Sequence, residues 1–357
     1  MDMDSHNLGY ALKIRANIYN TRSIVNEHVE KPPRDWDGLE VLISEETKDN
    51  QELKEALSSY LKSELENNYK ILSLYHLSTK SADSFRKLSA SVTKKITYPY
   101  PAILSGAKLA GLSQLHFVVS SESTQEYTRI VLSRRRTFTL RKKIDKADLS
   151  GLPAHTLDIY DDVYGVSNYH WQTFDVITLN NKTNILEIRA DYTRAENSYQ
   201  NGKQIELSLG ETLGWIVFNC SSLGLNFSPD AAMNLFPAIQ YFTFNAEGYI
   251  SKLNFMTPQG SIKQDTMKRG EDLRSEQFYA NGLQAVAGAI TPFDISVIWH
   301  IPNRFSTGQE VELTLPSTIS VATAGSRAAL TYAILRFCST EEETRLLIDK
   351  LLEALRA

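Results

Sequence analysis

The chain has 357 residues, 42% hydrophobic and 22% charged, with a formal net charge of −4. These proportions exclude wholesale disorder and leave room for one large domain or two. Two lone cysteines, Cys220 and Cys338, exclude a disulfide framework and a cysteine-based zinc site, and fit a reducing cytosol.

Residues Tyr10–Tyr19 alternate apolar and polar, with Tyr10, Leu12, Ile14, Ala16 and Ile18 on one side. That period of two predicts a half-buried strand. The prolines of EKPPRDWDG predict a loop, because proline lacks a backbone donor and pushes its predecessor out of helical geometry. Leu39–Ile43 reads as a second strand. Asp49 and Glu52 stand at capping-box spacing before a helical stripe of Leu53, Ala56, Leu57, Tyr60, Leu61 and Leu65. A strand is predicted at Tyr69–Leu77. Ser81 then caps a helix running to about Lys95, with Phe85, Leu88 and Val92 inward. Thr97–Gly111 is a loop by its prolines and glycines, and its SGAK lacks the spacing of a phosphate loop.

Strands are predicted at Leu115–Ser121 and Glu126–Ser133, the second continuing through Ile130–Asp145. A domain boundary is placed near residue 150, where the pattern changes. Beyond it, Thr173–Tyr192 forms a hairpin, two β-branched runs around an Asn-rich turn. A helix is expected over Glu206–Cys220, and a short one from Ser228-Pro229-Asp230. A further hairpin turns at Ala246–Gly248, and Glu271–Ala289 reads as a helix. Strands follow around Phe293–Ile301, Val311–Leu315 and Ala329–Phe337, and a last helix over Thr340–Leu355 opens on a Thr340/Glu343 capping box. The expected fold class is α+β: an N-terminal α/β domain over residues 1–150, then a β-rich mixed domain with interspersed helices over 151–357.

Charge is unevenly spread. Residues 1–70 hold 9 Lys and Arg against 14 Asp and Glu, residues 71–150 hold 14 against 5, and residues 151–357 hold 15 against 23. A band at +9 therefore lies between flanks at −5 and −8. Its densest part carries Arg134, Arg135, Arg136, Arg141, Lys142 and Lys143. As a strand, this segment puts Phe138 and Leu140 on one face and Arg135, Thr137, Thr139 and Arg141 on the other. A basic strand face can lie along a phosphate backbone, where Lys and Arg release counterions without reading a particular base sequence. Lys94, Lys95, Lys108 and Arg129 extend the candidate surface, with Tyr98 and Tyr100 as stacking platforms. Two other roles are open to such a band. It can protect an edge strand from aggregation, or pair with the acidic flanks of its own chain.

The Thr173–Tyr192 hairpin places Asp175 on one arm and Glu187-Ile188-Arg189 on the other. Over residues 175–189 this resembles the core hairpin of PD-(D/E)xK nucleases. The resemblance implies that Asp175 and Glu187 hold a divalent cation such as magnesium, which activates water and stabilises the leaving oxygen. Arg189 departs from the family's lysine: it stays protonated, yet can hold a phosphate. His155, Asp158, Asp161 and Asp162 could also coordinate magnesium or calcium, although their spacing matches no known ligand loop. The seven histidines form no zinc-binding pair, and no nucleophile elbow is present.

The leading expectation is a non-catalytic, nucleic-acid or polyanion-binding subunit of a larger intracellular assembly, with no cofactor and no resident metal. A magnesium-dependent nuclease is the alternative from another class. A third is an adaptor that docks protein partners without touching nucleic acid. The polar start MDMDSHNLGY lacks a signal-peptide pattern and no apolar run is long enough to span a bilayer, so a cytoplasmic protein without membrane contact is expected.

Overall fold

The computed structural model describes residues 5–94, 96–145, 149, 159–192, 202–268, 270–301 and 309–357. The first surprise is at the start. The segment expected to be a strand at Tyr10–Tyr19 is helical, split between α1 (Ser5–Arg15) and α2 (Ile18–Asn26). Leu8, Ala11 and Leu12 are fully buried at helical spacing, which outweighs the period-two alternation. Asn17 separates the two helices, its side chain accepting from the Tyr19 N–H. The expected strand at Leu39–Ile43 is likewise α3 (Trp36–Glu46). Asp35 caps it by accepting from the Gly38 N–H, and Leu39 and Ile43 are buried one turn apart. α4 (Gln51–Asn67) follows as predicted, with Asn50 as its cap in place of Asp49.

β1 (Lys70–His76) leads into α5 (Thr79–Thr93), capped by Ser78, whose hydroxyl accepts from the Ser81 N–H at 3.2 Å. The irregular stretch after it contains one short helix, α6 (Gly106–Ala110). β2 (Phe117–Ser123), β3 (Tyr127–Ile144), β4 (Val163–Asn180) and β5 (Ile185–Asp191) come next. The β4–β5 turn is closed by the Asn180 side chain, which accepts from the Lys182 and Thr183 N–H groups at 3.0 Å each. α7 (Gly202–Ser222) is the helix expected over Glu206–Cys220.

No helix starts at Ser228. It starts later, as α8 (Phe236–Phe244), and occupies what was expected to be the first arm of a hairpin. Pro237 suits the first helical turn, and Ala238, Ile239 and Phe242 share one buried side. The predicted turn is real: Gly248 has φ +63°, and a Cβ there would lie 2.6 Å from Val297 Cγ1. It delivers the chain into β6 (Tyr249–Met256) and β7 (Ile262–Thr266). α9 (Gln277–Ala285) is shorter than the expected Glu271–Ala289, because Glu276 caps it by accepting from the Phe278 and Tyr279 N–H groups. β8 (Thr291–Ile301), β9 (Gln309–Leu315), the short α10 (Ile319–Ala322), β10 (Ala333–Arg336) and α11 (Glu341–Arg356) complete the chain. The Thr340/Glu343 capping box is formed.

The fold is α+β, and its ten described strands make one antiparallel sheet in the order β2-β3-β4-β5-β1-β10-β9-β8-β6-β7. The boundary expected near residue 150 falls between β3 and β4, which pair over their whole length from Tyr127↔Asn180 to Ile144↔Val163. Strands from both sides of it thus share one sheet. One face is packed by α1, α3, α4, α8 and α11 through two apolar clusters; the other is covered by α5 and α7 over β1 to β5. No helix among the described residues is long and apolar enough to cross a membrane.

Candidate functional site

The β3–β4 ladder carries most of the residues singled out by charge, and its two halves treat them differently. In the root half, even-numbered β3 residues face α5 and α7: Ile130 and Leu132 enter that core. Arg134 and Arg136 continue the same side and are also buried. Arg134 forms an ion pair with Glu211 of α7. Arg136 reaches Asp175 Oδ2 at 3.3 Å and donates to the Asp191 carbonyl at 3.2 Å. Asp175 further accepts from the Asp191 N–H at 2.8 Å and the Thr212 hydroxyl at 3.2 Å, and bonds His116 Nε2 at 2.8 Å. Burial alone would raise the pKa of Asp175. The Arg136 charge and the His116 hydrogen bond override it and hold this carboxyl well below the usual carboxylate range.

The opposite face of the ladder has its own buried charges. Arg129 pairs with Glu66 at 2.9 Å and Glu341 at 2.7 Å, with its guanidinium 4.7 Å from the Tyr127 ring centre. Arg189 contacts Glu341, Asn67 and Thr178 within 3.1 Å, while Glu187 takes Arg345 at 2.8 Å. Lys70 is fully buried and donates to the Phe174 carbonyl at 2.7 Å and to Asp191 at 3.3 Å; burial pushes its pKa down. Arg15 shares Asp191 at 3.0 Å and lies 4.1 Å over the Trp171 ring.

This placement corrects two expectations. Arg129, Arg134 and Arg136 are internal, matched to acids from the acidic flanks, so they form no part of an outer surface. And the nuclease-like hairpin forms without its metal pair. Thr178 stands opposite Glu187, so those two side chains share a face. Asp175, three residues from Thr178, points to the other face. Each of the two carboxylates is taken by its own guanidinium, and they cannot converge on one cation.

The remaining candidates divide. Lys108 is exposed on α6, in a segment tied to the Arg135 side of β3 through the Leu104 N–H bond to Gln172 Oε1, the side chain opposite Arg135. Lys94 is exposed at the end of α5, in the other layer. Arg135 is half-buried. Lys95 lies outside the described residues, as do His155, Asp158 and the side chain of Arg141. Tyr98 and Tyr100 are packing residues: their rings meet Phe117 and Phe174, and their hydroxyls donate to the Ala102 carbonyl and Glu66. No group of three or more His, Cys, Asp and Glu fit to hold a metal is found among the described residues.

The distal half of the ladder is a different environment. Burial changes sharply at His170 and Trp171: residues 171–179 of β4 are buried, whereas 163–170 are exposed or half-exposed. β2 pairs with β3 only through Ser133, and β5 pairs with β4 only over Val176–Leu179. Among the described strands, residues 137–144 and 163–170 therefore pair only with each other, a two-stranded ribbon about 25 Å long at about 3.3 Å per residue. These sixteen residues hold three cations, Arg141, Lys142 and Lys143, and no carboxylate. Thr137↔His170, Thr139↔Asn168 and Lys143↔Tyr164 pair across one face, with Thr137 Oγ1 3.0 Å from His170 Nδ1. Phe138↔Tyr169 and Ile144↔Val163 pair across the other. Lys142 and Lys143 are exposed, and Lys143 is bridged to Asp162 at the base of the next strand.

No protein-family model matches the chain, and no curated protein is significantly similar to it.

Proposed function

We propose that this chain is a non-catalytic nucleic-acid-binding protein that makes its contact through the distal half of the β3–β4 ribbon. The observation that carries the reading is a two-stranded ribbon with three cations, no carboxylate and a face of hydrogen-bonding side chains. A ribbon of this width fits the DNA major groove, and Lys and Arg supply the salt-dependent phosphate contacts. A binding role also agrees with the separation of Asp175 and Glu187 onto opposite faces, which leaves the nuclease-like pair unassembled.

The test is a gel-shift titration with duplex and single-stranded probes across a salt series, comparing wild type with R141A/K142A/K143A. The triple variant should bind more weakly, with a log–log salt slope smaller by about 2 to 3. Equal affinity and equal slope would overturn the reading, and magnesium-dependent cleavage of any probe would replace it with the enzymatic one. One feature favours a second reading, a protein surface as partner: Val166 and Tyr164 are 67% and 44% exposed on the ribbon. In that case Y164A/V166A abolishes partner binding and the salt slope is small.

A further inference from the structure

A different edge of the molecule carries a separate inference. β7 is the last strand of the sheet and pairs with β6 alone among the described strands. Two bonds flanking the β6–β7 ladder fix its hydrogen-bonding phase: Thr257 N–H to the Ser261 carbonyl at 2.9 Å, and Met267 N–H to the Ser251 carbonyl at 2.7 Å. Hydrogen-bonded pairs alternate along an antiparallel ladder, so the backbone groups of Lys263 and Asp265 face β6. Those of Ile262, Gln264 and Thr266 therefore face outward, along an exposed edge.

An unpaired edge of this kind is a template for another strand. The sequence of this one, IKQDT, is complementary to itself. When two copies run antiparallel about a two-fold axis at Gln264, Ile262 meets Thr266 of the second copy and the two Gln264 residues meet each other. All of these are outward-facing residues, giving about six backbone hydrogen bonds. Lys263 then stands directly opposite Asp265 of the second copy, twice, at the closely spaced non-hydrogen-bonded positions where cross-strand charges interact best.

We infer that the chain forms a two-fold dimer by β7–β7 pairing, joining two ten-stranded sheets edge to edge with reciprocal Lys263–Asp265 ion pairs. The surroundings fit this occupant. Lys263 and Asp265 rim an apolar groove floored by Phe255, Tyr279, Leu283 and Ile290, and Phe278 on its border is 83% exposed. Ile262 is 58% exposed on the other side of the strand. Both are large apolar surfaces that a second copy laid along the edge would cover. A C2 contact is also the commonest way for one patch to satisfy itself without open-ended growth. Only five residues pair on each side, so the dimer is expected to be weak, with a dissociation constant on the order of micromolar.

Sedimentation velocity on the full chain, from low to high micromolar concentration, reads the monomer–dimer equilibrium. K263D and D265K should each weaken dimerisation about tenfold or more, because each replaces two attractive cross-strand pairs with two repulsive ones. The K263D/D265K exchange should restore it. An equimolar mixture of K263D and D265K should form heterodimers, since one carries two acids on its edge and the other two bases. Q264P removes the central outward N–H and should leave a monomer. Lys263 and Gln264 are exposed and Asp265 is half-buried, so the urea midpoint of each variant should stay close to the wild-type value and separates lost association from lost folding. A wild-type chain that is monomeric at every concentration overturns the inference. So does a dimer that K263D leaves intact, or a mixture that fails to associate.

Discussion

The two halves of the β3–β4 ladder are built from one continuous basic segment, yet the cations in them have opposite fates. At the root, Arg134 and Arg136 continue the inward side set by Ile130 and Leu132, and helix α7 supplies Glu211 while β4 supplies Asp175. Among the described strands none pairs with the distal half beyond β3 and β4 themselves, and Lys142 and Lys143 are exposed. A buried guanidinium must be matched because its desolvation costs several kcal/mol; an exposed ammonium need not be. The basic stretch is therefore two environments in series, one whose guanidiniums tie the sheet to its own acids and one whose lysines stay at the surface.

The sharpest way to break that contrast is at the root. Arg136→Ala leaves Asp175 buried beside an empty position and should cost about 3–5 kcal/mol in urea unfolding. Pairing it with Asp175→Asn should recover part of that loss, because the unmatched charge is gone while the amide oxygen can still accept from the Asp191 N–H. Acid should come next in size. The folded-state pKa of Asp175 is depressed below its unfolded value, so its contribution is present above about pH 4 and is lost as pH falls toward the folded value. The urea midpoint of wild type should therefore drop in acid, and Asp175→Asn should flatten that dependence. Hydrogen exchange by mass spectrometry sharpens the comparison without a mutation. Amides of 174–178 should open only with global unfolding, whereas those of 137–143 should exchange through local fraying, since a two-stranded ribbon is marginal by itself. The smallest effect belongs to Lys142→Ala, which should move stability by less than about 0.5 kcal/mol while lowering the salt slope of nucleic-acid binding by about 1.

How far the sequence was legible follows from which forces act locally. The Thr173–Tyr192 hairpin, the stripe of α4 and the Thr340/Glu343 box are specified by neighbours in sequence, and all three formed. Tyr10–Tyr19 failed because its alternation coexists with a helical triad, Leu8, Ala11 and Leu12, whose value appears only against α3 and α4. The Phe236–Phe244 helix was masked by its aromatics, which favour strands until Pro237 and the buried Ala238, Ile239 and Phe242 are weighed. Within the candidate site the signal was parity. Arg134 and Arg136 share the phase of Ile130 and Leu132, so their inward direction could be read from the strand. Their partners could not, because Glu211 lies 77 positions from Arg134 and nothing local connects them. The +9 band was in part the complement of the acidic flanks.

The centre of the sheet has a consequence for how the chain is made. β1 is an early strand, yet its two neighbours are β5 and β10, so residues 70–76 wait for 185–191 and then for 333–336. Helix α11, later still, brings Glu341 to Arg129 and Arg189, and Arg345 to Glu187. During synthesis from the N-terminus, the half-sheet built on β1 therefore exposes an open edge and unmatched buried charges until the last elements emerge. Such a topology closes slowly, because its decisive contacts span most of the chain. A ribosome-bound or C-terminally shortened form should be the species that chaperones hold and proteases find first.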